Sequence, residues 1–316
     1  MLDVVGLGYC SYDYLAVVPQ RPDFDTDTQT LADFATGGGG PVSTALVALA
    51  RLGARTAYLG VLGDDAHGQA LGAMFAVEGV DCSRLRWAAG CRSQVCVILV
   101  EQGTGRRSIL CYRPTYPPLA LDNADLALIE SARALHLDGH HMDTAVQAAQ
   151  FAHSRGVLVS LDANRPREGL DRLLPHVDLL IASATFPTAY TGVTELGQAM
   201  EQLRRMGPGV VVATQGERGC IWLSAEGRGE VPGFRVQAVD TTGAGDAFHG
   251  AFLFGQLRGW PLARTAEFAN AVAALNCTAL GGRAGLPTLP KTIAFLRRRS
   301  ATLDVWSEFV ADREKG

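Results

Sequence analysis

The residue types whose spacing could do chemistry gather in one stretch of this 316-residue chain, AVDTTGAGDAFHGAF at 238–252. After Asp246 the run AFHGAFLFGQLRG carries apolar residues at helical spacing, which places Gly243, Ala244, Gly245 and Asp246 at a helix N-terminus. There the backbone N–H groups lack intrahelical acceptors, the helix dipole is positive, and glycines let an anion approach the amides closely. The stretch is not the G-x-x-x-x-G-K-[ST] phosphate loop, because the lysine is missing, nor a G-x-G-x-x-G turn after a strand. It has a carboxylate instead. An aspartate at a helix start is often an N-cap. Beside an anion cradle it can also take the proton of a hydroxyl as that hydroxyl attacks a phosphorus held by the amides. The Gly-Ala-Gly run favours the second role, so phosphoryl transfer to an alcohol is the expected chemistry.

Short apolar runs alternating with helical patterns must position such a cradle. VVGLG, PVSTALVALARLG, TAYLGVLG and HGQALGAMFAVEG form one βαβα series, and ARALHLDG through VVVAT at 210–214 forms another. This rhythm predicts an α/β domain with a doubly wound, mostly parallel sheet and helices on both faces. Residues 14–36 and 92–113 break it. The second of these reads as two strands, SQVCVILV and RSILCYR, and together the segments predict a small, discontinuous β lid on one domain covering 1–316.

With 47% apolar and 19% charged residues and a net charge of −4, the chain is neither disordered nor attracted to nucleic acid or anionic membranes. Seven cysteines without a C-x-x-C pair read as reduced thiols in the cytoplasm. No run approaches the ~18 uninterrupted apolar residues of a membrane span, and no secretory signal opens the chain.

DTTGAGD at 240–246 resembles the C-terminal signature of the ribokinase-like, or phosphofructokinase-B, family of carbohydrate kinases. GGGG followed by PVSTALVALARLG at 37–53, then GVLGDDAHGQAL at 60–71, resembles its N-terminal one. The resemblance implies ATP and Mg²⁺ as cofactors and transfer of the γ-phosphoryl group to a sugar. It makes Asp246 the base, with the amides of Gly243, Ala244 and Gly245 holding developing charge. It matches Asp13 and the Gly39-Gly40 pair to the sugar site and Asp138 to an acidic sugar contact; His140, at the same strand end, and Arg113, just after the second lid strand, are further candidate contacts by position. Ser183, Thr214, Gly216, Gly219 and Asn270 match positions around ATP. Asp240 and Thr242, with carbonyls of Asn276, Ala279 and Gly281, correspond to a K⁺ site. A homodimer through the lid is also expected.

Some positions depart from the pattern. Thr44 stands where the family has an asparagine that binds sugar hydroxyls, and a hydroxyl has fewer donors than an amide. Ser183 to Phe186 replaces the N-x-x-E segment near Mg²⁺ and leaves no carboxylate, so water-mediated metal contact is expected. DANRP at 162–166 is shortened, which weakens Arg165 as a phosphate ligand. The GGGP, TQGERGC and GGRAGLP versions are similar to the branch with sulfofructose kinases, yet Thr28 and His140 fall where a sulfonate would meet cations. An uncharged ketose or related sugar is therefore the expected acceptor. A nucleoside acceptor, with Tyr9, Tyr12, Phe34 and Tyr112 as candidate walls, and a non-catalytic sugar-binding regulator are the alternatives. His249, three residues after Asp246, reads as a packed or capping residue.

Overall fold

A computed structural model describes residues 1–299 and Trp306; the remainder of the domain expected over 1–316 lies outside the described residues. Eight strands form the main sheet in the order Gly227–Val231, Cys220–Ser224, Val210–Thr214, Leu179–Ser183, Leu158–Ala163, Ala132–Leu137, Leu2–Leu7 and Thr56–Leu59. From Val210–Thr214 to Thr56–Leu59 all neighbours are parallel, and an antiparallel hairpin closes the other edge. The central strands read as continuous apolar runs because both faces are covered. One core, including Leu46, Phe252 and Phe268, lies under the helices Pro41–Arg51, Ala244–Leu257 and Leu262–Asn276. The other, including Leu135, Leu161 and Leu203, lies under Met142–Ser154 and Leu196–Arg205. The doubly wound arrangement expected from the alternating pattern is present. No helix among the described residues is long and apolar enough to cross a membrane.

A second sheet has the order Asp33–Gly39, Ser11–Val18, Val95–Glu101 and Arg107–Tyr112. Its first strand begins at Ser11, three residues before the segment expected from sequence, and residues 19–32 contain neither helix nor strand. Side chains alternate between faces along a strand. The cross-strand register therefore puts Asp13, Leu15, Cys96 and Ile98 on one, buried face and Tyr12, Phe34, Val97, Leu110 and Tyr112 on the other. The short connection from Leu7 to Ser11, in which the Tyr9 N–H donates 2.7 Å to Asp138 Oδ2, holds this sheet's base at the C-terminal edge of the main sheet, where ligand crevices of open α/β sheets form.

Candidate active site

The Ala244–Leu257 helix starts after Gly243, whose φ of 72° is left-handed and whose Cβ would lie 2.6 Å from the Gly282 carbonyl oxygen. Only glycine fits there. Asp246 is consequently the third residue of the helix, and Gly243 occupies the N-cap position that the aspartate could have filled. The Ala244 N–H points 3.3 Å to the Thr241 carbonyl. The next amides of the first turn have no intrahelical acceptor, and nothing lies within 4 Å of the position of a Cβ on Gly245. An opening suited to an anion results.

Burial pushes the Asp246 carboxyl up to about 6; the Arg107 guanidinium opposes this, the Asp138 carboxylate adds to it, and Arg283 opposes it again. Arg107 reaches in from the second sheet, where its Nη1 donates 2.7 Å to Thr241 Oγ1. Behind the helix, His249 Nε2 lies 3.4 Å from Asp162 Oδ1. Burial raises Asp162 well above the carboxylate range, with Asp246 adding to the effect, and burial lowers His249 well below its usual value. Burial thus favours the neutral form of each, and His249, 2% exposed, is a packed residue.

Asp13 stands on the buried face of the second sheet and is 3% exposed. Burial pushes its carboxyl up to about 6, although Ser11 Oγ donates to it at 2.7 Å and Arg283 lies near; Asp246 and Asp240 add to the rise. Its Oδ2 would be 1.9 Å from a Cβ on Gly39, so glycine at 39 is what admits the carboxylate. Gly40, with φ 95°, caps the Pro41–Arg51 helix. Thr44 is fully buried, with Oγ1 3.5 Å from Arg283 Nε.

Asp138 follows the Ala132–Leu137 strand. Its own burial raises the carboxyl, but His140 and the N–H groups of Tyr9 and His140 outweigh this and hold it down at about 2. His140 Nδ1 lies 3.0 Å from Asp138 Oδ1, and its ring stacks on Tyr9 at 3.7 Å. Arg167 Nη2 lies 2.8 Å from His140 Nε2. Arg165 is exposed, so the arginine that turns into this corner is Arg167. Arg113 is exposed too; its charge reaches Tyr9, but no hydrogen bond joins it to the corner.

Along the same sheet edge, Ser183 Oγ lies 3.1 Å from Thr185 Oγ1, and Thr214 Oγ1 donates to the Ala182 carbonyl at 3.2 Å. Gly216 and Gly219, with φ of 62° and 96°, shape the turn that follows. Asn270 is buried, and its Nδ2 donates to the Val231 and Pro232 carbonyls, both at 3.1 Å. It ties the hairpin to its helix. Asp240 accepts from Thr242 N, Thr242 Oγ1 and Gly281 N at 2.7–2.8 Å, and Asn276 Nδ2 donates to the Thr242 carbonyl. These four residues thus form one buried knot beside the glycine helix, with Ala279 in the connecting turn.

Fold and site define a class: an α/β domain with a glycine-headed helix at its sheet edge and a small second sheet beside it. Arabidopsis thaliana ribokinase, complexed with ribose and ATP, shares this fold with a TM-score of 0.82 and 23% identity over 94% of this chain and 99% of that one. The model of the pfkB family carbohydrate kinases matches residues 1–289, and the chain belongs to that family. Fructokinase-1 of Oryza sativa subsp. japonica is 30% identical over 286 residues, covering 82% of this chain and 87% of that protein. A nucleoside kinase of Methanothermobacter thermautotrophicus is 28% identical over 291 residues, covering 90% and 92% respectively. The protein is accordingly a carbohydrate kinase.

Arg107, Arg167 and Arg283 are the site residues that sequence reasoning missed. Arg283 lies in GGRAGLP, a stretch used only for its likeness to the branch with sulfofructose kinases.

Proposed function

We propose that the protein transfers the γ-phosphoryl group of ATP to a hydroxyl of a small sugar, a ketose or related compound, with Asp246 as general base. What carries this reading is the convergence of two desolvated carboxyls, Asp246 on the glycine helix and Asp13 on the second sheet, each titrating near 6. At neutral pH both are ionised, and a base of that strength can accept a hydroxyl proton as the new O–P bond forms and the bond to the departing ADP breaks. Asp13 accepts hydrogen bonds from neighbouring hydroxyls, with the Gly39-Gly40 backbone alongside and Thr44 behind it. The amides of Gly243, Ala244 and Gly245, with Arg107, stabilise charge on the transferring group. Asp138, His140 and Arg113 border the far end of the sugar. Closure of the second sheet as a lid over the acceptor excludes water that would otherwise hydrolyse ATP.

ATP lies along the sheet edge marked by Ser183, Thr214, Gly216 and Gly219, next to the hairpin that Asn270 secures. Mg²⁺ neutralises phosphate charge there. The Ser183 and Thr185 hydroxyls suit it through water, because Mg²⁺ keeps several waters and no carboxylate stands at 183–186. A K⁺ near Asp240, Thr242, Asn276, Ala279 and Gly281 is supported by the buried Asn276 Oδ1, an acceptor with no hydrogen-bond partner among the described residues. A cytoplasmic setting fits a user of ATP with buried thiols. Dimerisation through the lid is supported by its outer face, where Phe34, Leu110 and Tyr112 are each more than half exposed.

A nucleoside acceptor is less well supported, because Tyr12, Phe34 and Tyr112 share the sheet face opposite Asp13 and only Tyr9 remains to stack on a base. A non-catalytic regulator would have no use for a desolvated carboxylate beside free amides. Coupled ADP release measured over ketoses, aldoses, sulfonated sugars and nucleosides, with and without K⁺, tests these readings. Turnover of a neutral sugar is expected, and turnover of nucleosides alone, or of nothing, overturns the proposal.

A further inference from the structure

Arg283 is 8% exposed and lies against the backbone that carries the acceptor site. Its Nη2 donates 3.1 Å to the Gly39 carbonyl, its Nε lies 3.5 Å from Thr44 Oγ1, and a Cβ on Gly38 would stand 2.3 Å from Nη1. The guanidinium carbon sits 5.3 Å from the centre of the Phe75 ring, a side chain with no exposure. Nη1 has no hydrogen-bond partner among the described residues. The segment is itself clamped: Arg51 Nη1 donates to the Arg283 and Leu286 carbonyls at 2.9 Å, and Glu78 holds Arg51 at 2.6 Å.

A guanidinium keeps its charge when buried, and isolating one from water is unfavourable unless something compensates. Phe75, the Cys10 thiol and two donor contacts are a thin set of partners for it. The remaining compensation comes from Asp13 and Asp246, both of which feel its field. Asp13 also faces Ser11, Asp240, Asp246, Cys10 and Cys96, and Asp246 also faces Arg107, Asp138 and Asp162. On the acceptor side, therefore, Arg283 is the cation placed to serve both carboxylates.

We propose that Arg283 is a positioning residue for sugar phosphorylation, fixing the Gly38-Gly39 backbone and Thr44 while supplying the buried positive charge that keeps Asp13 and Asp246 ionised together. The inference rests on the kinase reading above. It also accounts for the threonine at 44: a short hydroxyl leaves room for the guanidinium beside the helix.

The test compares wild type with Arg283→Met, Arg283→Lys and Gly38→Ala, using the best acceptor found in the ADP-release screen. Arg283→Met should raise the acceptor KM about tenfold or more, a range set by losing hydrogen bonds from a charged group. It should leave the ATP KM within about twofold and move the acid limb of kcat/KM to higher pH, in the direction fixed by losing a nearby cation. Arg283→Lys should restore the acid limb but not the KM. Gly38→Ala displaces the guanidinium without deleting it and should raise the acceptor KM as well, which keeps the inference testable if Arg283→Met does not fold. A folded Arg283→Met with an unmoved acid limb and acceptor KM overturns the proposal, as does an equal rise in both KM values. Wild-type protein inactive on every acceptor overturns the kinase reading and this inference with it. Active wild type with indifferent variants overturns this inference alone.

Discussion

Replacing Asp246 with asparagine should abolish turnover and stabilise the fold at the same time. Burial lifts the carboxyl from 3.8 to about 6. Because the folded-state value lies above the unfolded one, the folded protein binds this proton more tightly, and ionisation opposes folding. The opposition is absent below pH ~4 and complete above pH ~6. A rise of about two pH units corresponds to at most about 3 kcal/mol, at roughly 1.4 kcal/mol per unit. With an unfolding entropy of about 2 cal/mol/K per residue, a chain of this length would gain about 4 °C in Tm.

Thermal unfolding of wild type and Asp246→Asn without nucleotide, at pH 8 and pH 4.5, measures the stability half of this expectation. The variant should melt higher at pH 8, and the gap should narrow to about a third at pH 4.5, where the folded carboxyl is protonated and the unfolded one still largely ionised. ADP release with acceptor present measures the other half, and loss of the base should lower kcat about 10²- to 10⁴-fold. A variant that melts lower than wild type at pH 8, or by a margin independent of pH, would refute the desolvated carboxylate. Near-normal turnover would refute its role as base.

Three further outcomes are expected. Gly39→Ala should raise the acceptor KM at least tenfold with the ATP KM unmoved, since its Cβ would meet Asp13 Oδ2 at 1.9 Å; steady-state kinetics on both substrates checks this. The wild-type kcat/KM for the acceptor should fall below about pH 6 with a slope approaching two on a log plot, because Asp13 and Asp246 both titrate there and the steps belong to the pair. Asp13→Asn should reduce that slope to one. Leu110→Glu, at a side chain 58% exposed on the outer face of the second sheet, should shift a dimer toward monomer in light scattering while the fold is retained.

The reaction end of the site was legible because its information is local. The apolar spacing and the glycines within one fifteen-residue stretch specify a helix N-terminus, and Asp246 follows from it. The alternating pattern likewise gave the second sheet, although YCSYDYL concealed a strand that starts at Ser11, since Asp13 there is a buried strand residue rather than a turn aspartate. The arginines were illegible for the opposite reason. Arg283 meets Gly39 across 244 positions and Arg107 meets Thr241 across 134, and in sequence each is an ordinary surface charge. Arg167 is nearer to His140, 27 positions away, but nothing in DANRPR says that Arg165 turns outward and Arg167 inward.

The two ends of the site differ in how many segments they need. In the proposed reaction, phosphoryl transfer depends on one helix start and one carboxylate, whereas the acceptor would be framed by Asp13, the Gly39-Gly40 strand end, Thr44, the Asp138–His140 corner and Arg283, drawn from parts of the chain far apart. Change at any one of these would move the acceptor. Thr44 illustrates the coupling this creates. Its side chain has no exposure and faces Arg283, so an asparagine at 44 would have to displace the guanidinium, and with it the support of Gly39 and Asp13. Restoring the family's amide at a single position should therefore impair acceptor binding unless position 283 changes too. On this proposal, acceptor specificity is set by the pair and not by either residue alone.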